Sequence, residues 1–278
     1  MAERRTLRHC LGRMARTGLD AILPAVCLGC GKLFKICRPD VKGIEAAAAA
    51  THFRALMCVH VCAACGEQFE AVRSPLCLQC GLPFVSPHGV DHVCGTCQSK
   101  PPGFHAARAV GLYQGVLRTA IQQHKYAGRE GLAEPLGRLL WCALSRYWQP
   151  SGFDRVVPVP LHPRRLRERG FNQAHALIRK WPRLAGAQGC RLHDNWIDTD
   201  VLERCRPTRP QTGLRREERA ANLQDAFVLK AGARIEGARI LIVDDVLTTG
   251  ATVDACARTL LRGGAAQVRV LTLARAVQ

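Results

Sequence analysis

Asp244 and Asp245 stand side by side after an apolar run, Ile240–Val243, and are followed within a few residues by Thr248, Thr249, Gly250 and Thr252. Two adjacent carboxylates suit a vicinal diol, gripped directly or through Mg²⁺. The Thr- and Gly-rich turn comes next, where a helical pattern, Val253–Leu261, begins. Helix-start N–H groups and the helix dipole attract a phosphate. Threonine hydroxyls add hydrogen bonds, and Gly250 lets backbone approach the ligand closely. Diol and phosphate together make this a site for a sugar phosphate.

A second chemistry lies near the amino terminus. Of 15 cysteines, eight form four Cys-x-x-Cys pairs: Cys27/Cys30, Cys62/Cys65, Cys77/Cys80 and Cys94/Cys97. This is metal spacing rather than a disulfide framework. Two pairs supply four thiolates, a closed tetrahedral Zn²⁺ site, so one or two structural zinc ions are expected. The simplest pairing joins Cys27/Cys30 with Cys62/Cys65 and Cys77/Cys80 with Cys94/Cys97. The latter has 13 intervening residues, the former 31 with the run Ala46–Ala50, which enlarges its loop. Interleaved pairing stays open. Cys37, Cys58, Cys142, Cys190, Cys205 and Cys256 lack a pair and read most simply as small buried hydrophobes, with Cys58, four residues before Cys62, also able to substitute as a ligand.

Three other segments carry charge at positions where it could meet an anion. Val156–Pro160 reads as a strand running into Leu161, His162, Pro163, Arg164 and Arg165. Its prolines preset the loop and the arginines suit a diphosphate. Lys125 follows a helical pattern and either meets an anion or caps the helix end. Arg204–Phe227 is arginine-rich, with Arg206, Arg209 and Gln211 as candidates for a lid or phosphate clamp. Gly170 can end one helix and Asn172 can cap the next, and Asn172 and Gln173 can face a substrate.

The elements that must hold these groups alternate. Strands are expected at Ala106–Tyr113, Arg155–Pro160, Ala226–Leu229, Ile240–Val243 and Gln267–Ala274. Helices are expected at Gly115–Lys125, Leu132–Trp148, Asn172–Trp181 and Val253–Arg262. That order predicts an α/β fold with a parallel, doubly wound sheet, which collects ligands at the carboxyl ends of its strands. Residues 1–24 fit a basic amphipathic helix, 25–100 a cysteine-rich module, Lys100–Gly103 a linker, and 104–278 the larger domain. With 278 residues and 47% hydrophobic content, a normal core is available. No run reaches 18 apolar residues, so no membrane span is expected. Met1–Leu23 has five arginines and no apolar run, hence no signal peptide; the expected location is the cytoplasm, where thiols stay reduced. The formal net charge of +18 favours polyanionic partners without choosing among them.

VDDVLTTGAT resembles the 5-phosphoribosyl-1-pyrophosphate (PRPP) signature of type I phosphoribosyltransferases. VPVPLHP followed by RRLRERGFNQA is similar to the ComF family within that superfamily, which carries a double zinc ribbon in front. The resemblance implies a type I phosphoribosyltransferase fold. It gives Asp244 and Asp245 the ribose 2′ and 3′ hydroxyls, Val246, Leu247, Thr248, Thr249, Gly250, Ala251 and Thr252 the 5′-phosphate, and Pro160, Leu161, His162, Arg164 and Arg165 the pyrophosphate. Lys125 would add a pyrophosphate contact and Arg206 a clamp, with Asp244, Asp245, Arg164 and Arg206 serving catalysis. The implied reaction transfers the phosphoribosyl group from PRPP, with Mg²⁺, to an unidentified acceptor. The alternative it implies is a competence factor that uses PRPP or a nucleotide as ligand, with single-stranded DNA or competence proteins as partners. Type I relatives often pair, which leaves an oligomer open. The sequence departs from the family pattern at Lys35–Val61 and Gly186–Val201.

Overall fold

The computed structural model describes residues 24–36, 48–86, 88–126, 130–205 and 226–277. The expected amino-terminal helix, Cys37, Arg206, Arg209 and Gln211 lie outside the described residues. A short antiparallel ribbon, β1 (Ala25–Val26) and β2 (Leu33–Phe34), frames Cys27 and Cys30. Helix α1 (Ala49–Met57) follows where the sequence suggested only an enlarged loop. Its Phe53 and Met57, four residues apart, are fully buried and share the helix face that packs inward. Short helices α2 (Ala63–Glu67) and α3 (Gly95–Ser99) each begin directly after a pair's first cysteine.

Beyond them the chain alternates. β3 (Ala106–Leu112) leads into α4 (Gly115–His124) and α5 (Ala133–Tyr147). β4 (Arg155–Pro158) leads into α6 (Pro163–Arg169), α7 (Gln173–Ile178) and α8 (Trp181–Ala187). The single helix expected over 172–181 is two, because Pro182 starts a new one and has no N–H to continue the old. β5 (Leu202–Arg204) and β6 (Phe227–Leu229) pair antiparallel as a separate ribbon. β6 was expected in the main sheet, whereas its partner β5 carried no expectation. β7 (Arg239–Leu247), α9 (Ala251–Arg262) and β8 (Gln267–Arg275) complete the fold.

The central sheet has the order β3-β8-β7-β4 and is parallel throughout. Both faces are covered, so its strands read as unbroken apolar runs. Leu241, Val243, Leu271 and Leu273 pack with Leu117, Ile121, Leu136, Leu140 and Leu177 on one side. Ile240, Ile242, Val268 and Val270 pack with Val253, Cys256, Ala257 and Leu260 of α9 on the other. Truncating a fully buried residue such as Leu140 to Ala costs about 2–5 kcal/mol.

The first part of the cysteine-rich region, around Cys27 and Cys65, has no separate interior. Cys27, Phe53, Met57, Val61, Cys65 and Phe69 belong to the same buried cluster as α4 and α5. Lys100–Gly103, expected as a linker, is packed. The Gly103 N–H donates to Asp254 Oδ1 (2.5 Å) and Arg258 donates to the Pro101 carbonyl (3.0 Å).

Candidate functional site

The two acids sit inside β7 rather than after it. Asp244 and Val246 pair in register with Thr272 and Ala274 of β8, and Leu247 with Arg275. β7 therefore runs four residues past Val243, and its carboxyl end opens into a pocket of about 200 Å³. The pocket is lined by Asp244, Asp245, Val246, Leu247, Thr248, Gly250, Thr252 and Val253. Residues from four other elements or their flanks complete it: Tyr113 after β3, Lys125 after α4, Leu161, Arg165 and Arg169 around α6, and Arg204 at the end of β5, with Val159 and Gln173 between them.

Local geometry explains the turn. Gly250 has φ 83°, a left-handed conformation that a side chain would strain, and it stands immediately before α9. Thr249 accepts the Ala251 N–H on its hydroxyl (3.4 Å). The first turn of α9, with Thr252 and Val253, thus points the positive end of a twelve-residue helix dipole at the pocket.

A brace from β8, without counterpart in the sequence reading, fixes this turn. The buried Arg275 donates from Nη1 to the carbonyls of Leu247 (2.9 Å), Thr248 and Ala276 (3.0 Å). A guanidinium can serve several carbonyls from one fixed plane.

Charges of both signs meet in the pocket from different elements. Asp245 is 5% exposed and its Oδ2 forms an ion pair with Lys125 Nζ at 3.2 Å. Burial and the adjoining Asp245 push the Asp244 carboxyl up to about 7, against the Asp245 N–H, Lys125 and Arg204, which pull it down. That N–H donates to Asp244 Oδ1 at 2.8 Å. Arg169 donates to Gln173 Oε1 (2.9 Å) and so fixes one pocket wall.

Not every expected residue reaches the pocket wall. His162 accepts the Arg164 N–H on Nδ1 (3.2 Å) and caps α6. Arg164 is 76% exposed at its side chain and pairs with Glu168 (3.0 Å). Pro160 and Ala251 shape the two loops, while Leu161, Arg165 and Lys125 stand in the lining. Arg169, Gln173, Arg204 and Tyr113 join them. Of these the sequence signalled Gln173, through its place beside Asn172, and Arg204, as the first residue of the arginine-rich segment expected to supply a lid or clamp. Asn172 does cap α7, accepting from Ala174 (2.9 Å) and His175 (3.2 Å), and its amide donates to the Val159 carbonyl (3.1 Å).

The cysteines form two tetrads, Cys27/Cys30/Cys62/Cys65 and Cys77/Cys80/Cys94/Cys97, each with its sulfurs within 4.8 Å of one another. The pairing is sequential. Backbone N–H groups point at the sulfurs, as Cys62 N to Cys27 (3.3 Å) and Cys94 N to Cys77 (3.3 Å). Burial raises the Cys27 thiol, but the donors from Cys62, Cys30 and Gly29 outweigh it and bring it to about 6. Burial pushes Cys65 up to about 12. Such donors stabilise metal-bound thiolates, and both tetrads could bind zinc. Gly29 allows the close fit: a Cβ there would come within 2.9 Å of the Cys65 sulfur. Of the other described cysteines only Cys256 is fully buried; Cys205 is exposed, and Cys58, Cys142 and Cys190 are intermediate, contrary to their reading as core fillers. Cys58 is not part of either tetrad. No described helix is long and apolar enough to cross a membrane.

Comparison with known proteins agrees with this geometry. The phosphoribosyl transferase domain family matches residues 208–278. DNA utilization protein YhgH of Escherichia coli (strain K12) is 37% identical over 218 residues, covering 77% of this chain and 90% of that one. Competence protein F of Haemophilus influenzae is 29% identical over 243 residues, covering 81% and 98%. Competence protein ComFC of Bacillus subtilis is 27% identical over 219 residues, covering 77% and 84%. With the cysteine tetrads in front of a parallel α/β domain, this chain belongs to the ComF family of phosphoribosyltransferase-domain proteins.

Proposed function

We propose that the pocket binds PRPP with Mg²⁺ and that the protein transfers the phosphoribosyl group to an acceptor, releasing pyrophosphate. The observation that carries this reading is the Asp244–Asp245 pair on a strand end that runs directly into a glycine-capped helix start within one pocket. The acids orient the ribose hydroxyls. The turn Val246–Thr252, held by Arg275, takes the 5′-phosphate. Arg165 and the loop from Pro160 approach the diphosphate, and Lys125 turns from Asp245 toward the same anion. Asp244 and Asp245 fit Mg²⁺, since oxygen ligands suit this ion and the buried Asp245 Oδ2 has only the Lys125 ammonium beside it, a cation that Mg²⁺ can replace. When bound, Mg²⁺ supplies charge to the departing pyrophosphate. The side chains contribute position and electrostatics, and no covalent intermediate is needed.

Zinc in both tetrads would hold a module over 25–100 against a transferase domain over 104–278. Thiols kept for zinc suit the cytoplasm. Calorimetry with PRPP and Mg²⁺ tests the binding, and pyrophosphate release screened over purines, pyrimidines and ammonia tests turnover. PRPP affinity unchanged in the double variant D244N/D245N would refute the site assignment.

A second reading rests on the names of the relatives, one for DNA utilization and two for competence. Here the chain serves an accessory role with single-stranded DNA or a competence protein. The exposed face of α6, with Arg164, Arg167 and Leu166, adjoins the pocket and suits a phosphate backbone. Filter binding over a salt series tests it; a flat response argues against it.

A further inference from the structure

We infer that His124 is a positioning residue of the proposed transferase: from behind the pocket it ties the end of α4, which leads into Lys125, to the start of α7, which carries Gln173. This rests on the PRPP reading above and gives a role to a residue outside the pocket lining.

His124 is the last residue of α4 and is fully buried. Leu117, Ala120 and Ile121 stand seven, four and three residues before it, on the same helix face, and are buried as well. An apolar side chain would continue that face. The imidazole instead brings Nε2 to 3.2 Å from the Gln173 carbonyl, with its ring 5.7 Å from the Phe171 ring. A carbonyl only accepts, so Nε2 carries the proton and donates. Burial holds the ring below the ordinary histidine pKa, which favours this neutral form. Nδ1 is then a bare acceptor, and it has no hydrogen-bond partner among the described residues. A buried acceptor left bare destabilises the fold. Packing alone therefore gives no reason for a histidine here, whereas the reach of its Nε2 does.

Both ends of that bond lead into the pocket. The next residue, Lys125, lines it and pairs with Asp245 Oδ2 at 3.2 Å. Gln173 lines it from α7 and accepts from Arg169 at 2.9 Å. α4 follows β3 and α7 comes after β4, and these are the two edge strands of the sheet. The two walls thus arrive from different sides, and the His124–Gln173 bond sets their spacing. It also holds the backbone at the end of α4, so that only the side chain of Lys125 moves between Asp245 and an anion. A ligand held from both walls depends on that spacing, because small misplacements of binding groups lose much of their effect.

The test is calorimetry on the full-length protein with Mg–pyrophosphate and Mg–PRPP, comparing wild type with H124Q, H124N and H124L, alongside melting curves. A glutamine amide N–H reaches where Nε2 stands, an asparagine amide only where Nδ1 stands. H124Q is expected to bind both ligands within about twofold of wild type, and H124N and H124L about fivefold or more weakly, the effect of one lost buried hydrogen bond. H124L also removes the bare acceptor and extends the apolar face, so it should melt no lower than wild type while binding less. A merely structural histidine would not set stability and affinity in opposition. Nitrogen-15 NMR of the wild-type imidazole should show a neutral ring protonated at Nε2, a readout that needs no variant to fold. Wild-type affinity in H124L, rescue by asparagine rather than glutamine, affinity losses that follow the melting temperatures, or a proton on Nδ1 overturns the positioning role and leaves the PRPP site standing. A wild-type protein that binds neither ligand overturns the PRPP reading and this role with it.

Discussion

Cys27, Cys30, Cys62 and Cys65 stand at the rim of the main core, whereas Cys77, Cys80, Cys94 and Cys97 close a small cluster of their own. In the first tetrad Cys27 and Cys65 pack with Leu117, Ile121 and the helix α5. Val116 touches the same corner at Gly29. In the second, the neighbours are the half-buried Leu82, Phe84 and Val93, and the region meets the sheet at β3, where the Ala107 N–H donates to the Gln79 carbonyl (2.6 Å). Exposure runs the other way: Cys30 is exposed, while no member of the second tetrad is. The tetrad on which the core depends more is therefore also the more accessible to solvent. Identical ligand sets thus differ in consequence according to what their sulfurs pack against.

The largest effect expected is from C65S. It removes a ligand and a core contact together, and should lower Tm by on the order of 10 °C or more. It should also weaken PRPP binding, since α4, packed against this tetrad, ends at Lys125. Melting curves and zinc content measure both. A drop no greater than that of C97S would break the contrast between the tetrads. C97S comes next: half of the zinc lost, a Tm decrease of about 5 °C, and ligand affinity within threefold of wild type. A chelator sharpens the comparison kinetically, with the Cys30-containing tetrad releasing its metal first despite its greater structural weight. C77S and C30S variants, each retaining one tetrad, would identify the faster phase.

The smallest effect on stability is expected from D244N, which serves as the counterpart outside the cysteine region. Zinc content should be unchanged and PRPP affinity should fall at least tenfold. The sign of its pH dependence follows from the raised carboxyl. Unfolded, Asp244 titrates near 3.9; folded, burial and Asp245 raise it to about 7. Folded protein therefore holds a proton that the unfolded chain has lost, and stability contributed by this group declines as pH rises from about 4 to about 7. D244N should flatten that decline and be slightly more stable than wild type at pH 8. Denaturant midpoints at pH 5 and pH 8 would show it; parallel behaviour of both proteins would contradict it. Under the proposed function, the same titration should make Mg–PRPP affinity rise through neutral pH in wild type.

What the sequence disclosed depended on distance along the chain. The four cysteine pairs, the Asp pair with its turn, and the Gly170–Asn172 junction are local, and each has a fixed physical meaning at short spacing. The pairing of the tetrads stayed open because α1 was hidden in an alanine-rich stretch; Phe53 and Met57, spaced by one helical turn, were the available signal. Arg204, Arg169, Tyr113 and Arg275 reach the site only through the order of strands in the sheet and the ribbon beside it. No spacing rule announces that a residue at position 275 holds the turn at 248. His162 and Arg164 show the converse: they belong to the right loop, yet one caps a helix and the other pairs with Glu168 on the surface.

Arg275 has a consequence for biosynthesis. Its strand is made after β7, and until it leaves the ribosome the turn after β7 lacks the three-carbonyl anchor and β7 lacks its β8 neighbour. A nascent chain that already displays both acids and the threonines is thus not yet a receptor. Any ligand taken by this pocket would then be captured only after β8 is made, and small-molecule rescue of folding should act on chains that carry this strand rather than on shorter ones.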